Sequence, residues 1–429
     1  MNLLNLKQQS IRYFNWFFRI QKNIFNELKQ KIFNNSNKLK LEYLDWLFYE
    51  NRQKVSPCFV PECECSININ NNVTKTIAFY LPQYYENEVN NKYFGKGFME
   101  WYKVTKAIPQ FKGHYQPHLP IDVGFYNLTH DDVMYRQIEL AKKYGIYGFC
   151  FYYYWFSGDV LLEKPILNFL NNKKLDLPFC LMWTNETWTN VWGNGNHRQI
   201  IKEQKLQNGD NEKFLQDILK FFNDDRYIKI NKKPLLIIYQ SQFFETEKFK
   251  NFIQYLRQNI KKYGFDGLHI MTTNSGYTDI DVNGLDLDSV VEFSHQVTPI
   301  AKCFKNLKSI YINPMFKGRV IDIQKALNKK LHLINHNYKS FKCLYPGWDN
   351  APRKAYSSAC YVFDMTPKEF KFWFRDVVNW TKNNHNSDEQ FVFINAWNEW
   401  AEGAHLEPDQ KYGYAYLQAV KDILEDMGK

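Results

Sequence analysis

The sequence predicts an α/β chain, a (β/α)8 TIM-type barrel with a helical N-terminal extension. Three observations lead there. Beyond Lys75 the chain carries about eight short, near-continuous apolar runs, the texture of parallel strands buried on both faces. Longer stretches with helical spacing alternate with those runs, as crossover helices do. The 429 residues leave room for such a barrel with insertions.

Residues 1–50 read as a basic amphipathic helical extension. Phe17, Ile20, Ile24, Leu28 and Ile32 recur near the helical period while Lys22, Lys29 and Lys31 take other faces. Such a segment suits packing on the main domain or a partner, and also a peripheral membrane contact through the N-terminal helix. Residues 51–75 hold Pro57, Pro61, Asn68, Asn70, Asn71 and Asn72 and read as a linker. Residues 76–429 form the barrel domain. Its strands are expected near Thr76–Leu81, Gly145–Tyr153, Pro178–Trp183, Pro234–Tyr239, Gly267–Thr272, Ser289–Phe293, Lys342–Pro346 and Gln390–Ala396. Helices are expected over Asp131–Tyr144, Glu212–Phe222, Glu247–Tyr263, Pro367–Asn383 and Tyr412–Asp426. A doubly wound open sheet alternates in the same way, but the turn after the first strand reads YLPQY at Tyr80–Tyr84 where a dinucleotide fold needs G-x-G-x-x-G. No Walker A loop occurs either, and no cofactor is expected.

Composition removes other classes. With 35 Phe, 29 Tyr and 12 Trp the chain buries a large core, which excludes bulk disorder. Its longest apolar run, Phe149–Phe156, falls far short of the ~20 residues of a membrane-spanning helix. The net charge of +10 is spread along the chain, so nucleic acid is not an expected partner. MNLLNLKQQS lacks the pattern of a secretory signal, so the expected location is the cytoplasm, with the inner face of the membrane as a peripheral site. Eight scattered Cys read as reduced thiols; Cys58, Cys63 and Cys65 could begin a zinc site, but no matching pair follows, and no metal is expected.

The C-terminal ends of barrel strands hold the active site, and here they are rich in Trp, Asn and carboxylates. The first strand leads through Tyr80 to Gln83, the second to Tyr154 and Trp155, and the third to Trp183, Asn185, Glu186 and Trp188. The seventh leads to Trp348 and Asp349, and the eighth to Asn395, Trp397, Asn398, Glu399 and Glu402. Aromatic faces cover the apolar patches of a sugar ring while amides and carboxylates bind its hydroxyls, so the expected partner is an oligosaccharide or polysaccharide. Breaking or forming a glycosidic bond needs two groups, one to handle the leaving oxygen's proton and one to promote attack. Glu399 and Glu402 are the best pair, because a three-residue spacing turns both toward one side and Trp397 and Trp400 can desolvate them. Glu186 ranks second, and Asp349 and Glu292 third, either as hydroxyl ligands or as buried carboxylates paired with an Arg such as Arg353. His114 and His118 sit on a Pro-flanked loop and read as cleft wall or structural hydrogen-bonding residues.

Several blocks resemble the WbsX-type family in the same order over about residues 76–425. They are IAFYLPQYY (Ile77–Tyr85), GKGFMEW (Gly95–Trp101), FKGHYQPHLP (Phe111–Pro120), GFCFYYYWF (Gly148–Phe156), PFCLMWTNETWT (Pro178–Thr189), PGWDNAPR (Pro346–Arg353) and NAWNEWAEGAHLEPD (Asn395–Asp409). That family carries two labels, glycosyltransferase of O-antigen and other surface polysaccharide clusters, and glycoside hydrolase family 99-like, similar to endo-α-mannosidases. The resemblance implies a (β/α)8 barrel and a catalytic pair in NEWAEG, Asn398–Gly403. It implies Glu399 as a base on the sugar 2-hydroxyl and Glu402 as acid/base, with retention of configuration. It also implies a surface polysaccharide substrate, lipid-linked where the chain works at a membrane. A transferase with a nucleotide donor would want a metal-binding acidic motif, and Asp279 and Asp281 are the obvious candidates. A noncatalytic glycan binder is the third reading, and it has no need of two adjacent carboxylates.

Overall fold

The structure, a computed structural model, describes residues 38, 40–47, 56–68, 74–190, 199–274, 280–293, 299–306, 313, 316–354 and 361–428. It divides into two compact units. The smaller comprises residues 1–54, 109–115 and 306–316, and the larger comprises the rest. In the smaller unit the Tyr43 hydroxyl donates to the Pro109 carbonyl (2.6 Å) and Asn313 Nδ2 donates to Gln110 Oε1 (2.8 Å). The apolar stripe from Phe17 to Ile32 lies outside the described residues.

The larger unit is built on eight strands in chain order. They are β1 (Lys75–Tyr80), β2 (Ile146–Phe156), β3 (Phe179–Trp183), β4 (Lys233–Ile238), β5 (His269–Thr273), β6 (Ser289–Val291), β7 (the short ladders Ser340–Phe341 and Cys343–Leu344) and β8 (Phe391–Ile394). Each pairs in parallel with its neighbour, and β8 returns to β1 with Ile77 opposite Phe393. The seventh strand divides its pairing: Ser340 faces Val290 of β6, and Cys343 faces Phe393 of β8. Between them the Lys342 carbonyl accepts the Phe393 amide (2.9 Å), so the ring of strands closes through this one short run. The fold is the TIM-type barrel that the alternating texture predicts.

Side chains alternate across each strand, and this sets which residues reach the lumen. Phe79 points inward and packs on Phe293 and Phe393, with ring centroids 4.8 and 5.7 Å away. Tyr80 points outward and gives its hydroxyl to Gln137 (2.6 Å) of the helix Asp131–Tyr144. That helix has the predicted bounds because Gly145, at φ +88°, supplies the left-handed residue that ends it. The helix Pro367–Asn384 starts at a capping box between Thr366 and Glu369, with Pro at its first turn. The helix at Glu247 ends earlier than the periodicity suggests, at Asn259, and its last turn continues as a 3-10 turn over Ile260–Tyr263.

Residues 56–68, read from sequence as part of a linker, are tied onto the barrel. Val60 bridges to Gly413, and Glu62 pairs with Arg136 (2.7 Å) and Lys143 (2.6 Å). Two short helices after β1, Glu88–Phe94 and Trp101–Val104, carry no long periodicity and are legible only in the structure. Among the described residues no helix is long and apolar enough to cross a membrane.

Candidate active site

At the C-terminal ends of the strands lies a cavity of about 220 Å³. Its floor is a single buried charge cluster centred on Arg353. One terminal nitrogen, Nη1, meets Glu402 Oε1 at 2.5 Å. The other, Nη2, meets Glu399 Oε2 at 2.8 Å and Glu100 Oε1 at 2.7 Å, and Nε donates to the same Glu100 oxygen at 2.8 Å. Lys103, on the short helix that Glu100 precedes, stands 3.7 Å from the other Glu100 oxygen. Three carboxyl groups and two cations therefore share one desolvated site.

Their protonation follows from that balance. For Glu100, burial works to raise the pKa, but Arg353 and Lys103 outweigh it and hold the carboxyl below its ordinary value. For Glu399, burial is the largest influence; Arg353 opposes it, the Glu402 and Glu100 charges add to it, and the group is pushed up to about 8. Glu402 is raised too, first by burial, against Arg353 and with Glu100. Arg353 stays charged, since its carboxylate neighbours outweigh burial. With one proton on the Glu399 and Glu402 pair, the five groups sum to zero. One carboxylic acid and one carboxylate on a common guanidinium is an acid and a base held side by side.

The walls are aromatic and polar. Tyr154 and Trp188 form a stacked pair, centroids 5.7 Å apart and planes 19° apart. Trp348, Tyr152, Tyr239, Gln83, Gln240 and Asn350 also line the space. Glu186 lies on this wall, its pKa pushed up to about 7 by burial and then by the Glu402 charge.

The family described as glycosyltransferase WbsX matches residues 76–420. The chain belongs to the WbsX family. Proteins of Xanthomonas campestris pv. campestris named uncharacterized protein WxcX are 35% identical over 352 residues, covering 81% of this chain and 49% of theirs. The chain thus spans about half the length of these curated relatives. A solved structure described as a glycoside hydrolase-like protein is similar in fold, with TM-score 0.52 and 15% identity over 86% of this chain and 98% of that one. The GH99 endo-alpha-mannosidase from Bacteroides thetaiotaomicron aligns more weakly, with TM-score 0.48 and 14% identity over 84% of this chain and 98% of that one.

In this WbsX barrel the residues singled out from sequence fall into two groups. Gln83, Tyr154, Glu186, Trp188, Trp348, Glu399 and Glu402 line the cavity. Tyr80, Trp155, Trp183, Asn185, Asp349, Asn395, Trp397 and Asn398 do not, and for definite reasons. Tyr80, Trp155 and Trp183 sit on the outward phase of their strands; the Trp155 indole donates to Asp217 (2.7 Å) and Trp183 packs on Phe214 and Phe252 under the helices. Asn185 clamps β3 to β4 by trading bonds with the Gln240 backbone, 2.7 Å to its carbonyl and 2.8 Å from its amide. Asn398 does the same with Leu81, at 3.0 and 2.8 Å, fastening the loop that carries Glu399 and Glu402 to the end of β1. Asn395 is buried, 3.4 Å from the hydroxyl of the cavity residue Tyr152. The Asp349 amide donates to the Glu402 carbonyl (2.5 Å), while its carboxylate accepts Gln116 (2.5 Å) and the Ala351 amide (2.9 Å). Asp349 thus positions the Glu402 main chain and leaves the cavity to others. Glu292 pairs with Lys342 (2.7 Å), away from Arg353. His118 meets His405, and His114 Nδ1 accepts the Gln110 amide (2.9 Å). Asp279 lies outside the described residues, and Asp281 caps a turn at Gly284.

Sequence reasoning missed Glu100, Lys103 and Tyr152 as site residues, and named Arg353 only as a partner of other carboxylates. Glu407 was missed as well. It is 2% exposed, and its two oxygens receive four donors: Trp397 Nε1 (3.1 Å) and Gln137 Nε2 (2.6 Å) on one, Trp400 Nε1 (2.6 Å) and the Tyr126 hydroxyl (2.8 Å) on the other. Both tryptophans flanking Glu399 are thereby fixed. Glu407→Gln puts an amide NH2 against at least one indole N–H, two donors facing each other, so a loss of about 2–3 kcal/mol is expected in urea unfolding. An unchanged midpoint would remove this anchor from the account.

Proposed function

We propose that the cavity holds an oligosaccharide stretch of a cell-surface polysaccharide of the O-antigen or capsule type, and that Glu399 and Glu402 act on one of its glycosidic bonds by retaining, hydrolase-like chemistry. The observation that carries this reading is the single guanidinium bearing both carboxyl groups under an aromatic wall. Both carboxyls ion-pair with the terminal nitrogens of one Arg, which favours the close spacing of a retaining pair, ~5 Å, over the ~6.5–9.5 Å that an inverting pair leaves for a water.

In the first step Glu402 gives its proton to the leaving oxygen as the C1–O bond breaks. Ionised Glu399 takes the 2-hydroxyl proton so that O2 closes on C1, or closes on C1 itself. Water then adds at C1, passing a proton to Glu402, as the O2–C1 bond breaks and O2 takes its proton back from Glu399, or as the Glu399–C1 ester bond breaks; either way the original configuration is restored. Burial favours the proton on Glu399, since that carboxyl stands at about 8. The working tautomer has it on Glu402, whose side chain is 14% exposed against 5% for Glu399 and so is better able to meet a leaving group.

The family's description as glycosyltransferase favours a second reading, transfer from an activated sugar. The cavity's charge weighs against a nucleotide diphosphate donor. Glu100, Glu399, Glu402 and Glu186 all line it, against Lys103 and an Arg353 already engaged by three carboxyls. A lipid-linked polymer met at the cytoplasmic face of a membrane belongs to the same proposal and draws its support from the basic segment over residues 1–50.

Glu402→Gln separates an enzyme from a binder. Turnover of oligosaccharides from the source cell's surface polysaccharide should fall at least 100-fold, with calorimetric affinity within a few-fold of wild type. A wild-type protein that binds the glycan and never alters it would be a binding module. Trp188→Ala, which removes half of the stacked wall, is expected to weaken glycan binding about tenfold in the same calorimeter. Unchanged affinity would place the sugar elsewhere in the cavity.

A further inference from the structure

Behind the catalytic loop, outside the cavity lining, three side chains from two segments converge. His118 Nδ1 stands 2.8 Å from His405 Nε2, and Asp409 Oδ2 stands 3.7 Å from the same nitrogen. His405 and Asp409 are 2% and 1% exposed. We propose that His118, His405 and Asp409 form a zinc site that ties the loop after β1 to the loop carrying Glu402.

Geometry and donor chemistry both support the assignment. The three ligand atoms lie within 4.8 Å of one another. A zinc ion with bonds of ~2.0–2.2 Å holds its tetrahedral ligands roughly 3.3–3.6 Å apart; the two separations from His405 Nε2, 2.8 and 3.7 Å, straddle that range, and the third lies within 4.8 Å, so side-chain shifts of about 1 Å close the site. His405 Nδ1 faces the Glu407 carbonyl at 3.0 Å; donation there puts the ring proton on Nδ1 and leaves the Nε2 lone pair aimed at the centre, the outer-shell bond that metal-bound imidazoles make. The ring itself is held flat on Trp400, centroids 3.8 Å apart and planes 14° apart. Asp409 is likewise fixed, its Oδ1 accepting the Lys411 (2.8 Å) and Tyr412 (2.7 Å) amides while Oδ2 faces the imidazoles. Two imidazoles and a carboxylate are a donor set that zinc takes, with a water completing the tetrahedron. The role is structural. Gly403, the residue after Glu402, turns at φ +59°, and a methyl group added there would come within 3.4 Å of His118 Cε1.

The experiment uses the full chain, stripped with a chelator and returned to one equivalent of ZnCl2. Metal is counted by mass spectrometry after gel filtration, and cobalt is substituted for a visible spectrum. Cys58→Ser, Cys63→Ser and Cys65→Ser together remove the thiols that, among the described residues, are not buried and could compete. About one zinc per chain is expected in wild type and in the thiol variant, with cobalt d–d bands and no thiolate band. His118→Gln, which keeps a donor toward His405, and Asp409→Asn should each bind zinc more than tenfold more weakly, since loss of an outer-shell partner alone costs 10–100-fold. The proposal is overturned if wild type retains no zinc, if both ligand variants bind it like wild type, or if a thiolate band appears. The wild-type cobalt spectrum decides even where a variant fails to fold. None of these readouts depends on glycan turnover, so the zinc site and the proposed function stand or fall separately.

Discussion

Arg353→Met should abolish turnover and lower stability by about 3–5 kcal/mol at pH 8, the loss expected when one partner of a buried ion pair is removed. The guanidinium is the common partner of Glu100, Glu399 and Glu402. Without it, only Lys103 opposes burial and mutual repulsion in this cluster. The pH dependence has a definite sign. In wild type Glu100 has a lowered pKa, so its contribution is present above the ordinary carboxyl value and is lost as pH falls. In the variant Glu399 and Glu402, already raised in wild type, are pushed further up, Glu100 loses the larger of its two cationic partners, and the native state loses stability as pH rises. The gap between the two proteins should therefore be wide at pH 8 and narrow toward pH 4. Arg353→Lys should recover only part of the stability, since a compact ammonium cannot span three carboxylates. Urea unfolding at several pH values checks this. A constant gap would mean that the Arg acts by packing and not by charge.

Glu399→Gln and Glu402→Gln should each lower turnover on a natural glycan by at least 100-fold, but they should part company on a substrate with a good leaving group. An aryl glycoside whose phenol departs without a proton no longer needs the acid. Glu402→Gln should then recover much of its first-step rate, while Glu399→Gln, lacking the group that promotes closure on C1, should not. Equal losses on both substrates would reverse or merge the roles. The wild-type rate should also fall above about pH 8, because Glu399 stands at about 8 and the pair then loses its last proton. With the proton gone no acid remains, so the basic limb belongs to the pair. A rate that keeps rising past pH 9 would contradict a shared proton.

How much of this was legible in the sequence depends on how local the cause is. The barrel was legible because strands buried on both faces read as continuous apolar runs, and the helix Asp131–Tyr144 because its periodicity runs straight into Gly145. Glu399 and Glu402 were legible because three residues separate them. Their charge partners were not: Arg353 reaches Glu100 across 253 positions, and nothing local marks that pair. The misplaced strand aromatics Tyr80, Trp155 and Trp183 share one cause. At a strand end, successive residues face opposite sides, so Tyr152 and Tyr154 line the cavity while Tyr153 and Trp155 pack under a helix. Composition near the strand ends pointed to a sugar site, but only the pleat decides which half of the residues sees it. Asn398, Asn185 and Asp349 carry polar groups that suit a ligand as well as a backbone clamp, and the neighbouring loop they hold is invisible from one segment alone.

The most direct test of the central claim is product mass spectrometry of the surface oligosaccharide incubated with the protein in 18O-water, with and without nucleotide sugars. The account predicts shorter fragments carrying one 18O at the new reducing end, formed without any nucleotide sugar and absent with Glu402→Gln. Intact glycan that grows by one sugar, and only when a nucleotide sugar is present, would contradict it and make Glu399 and Glu402 parts of a transferase.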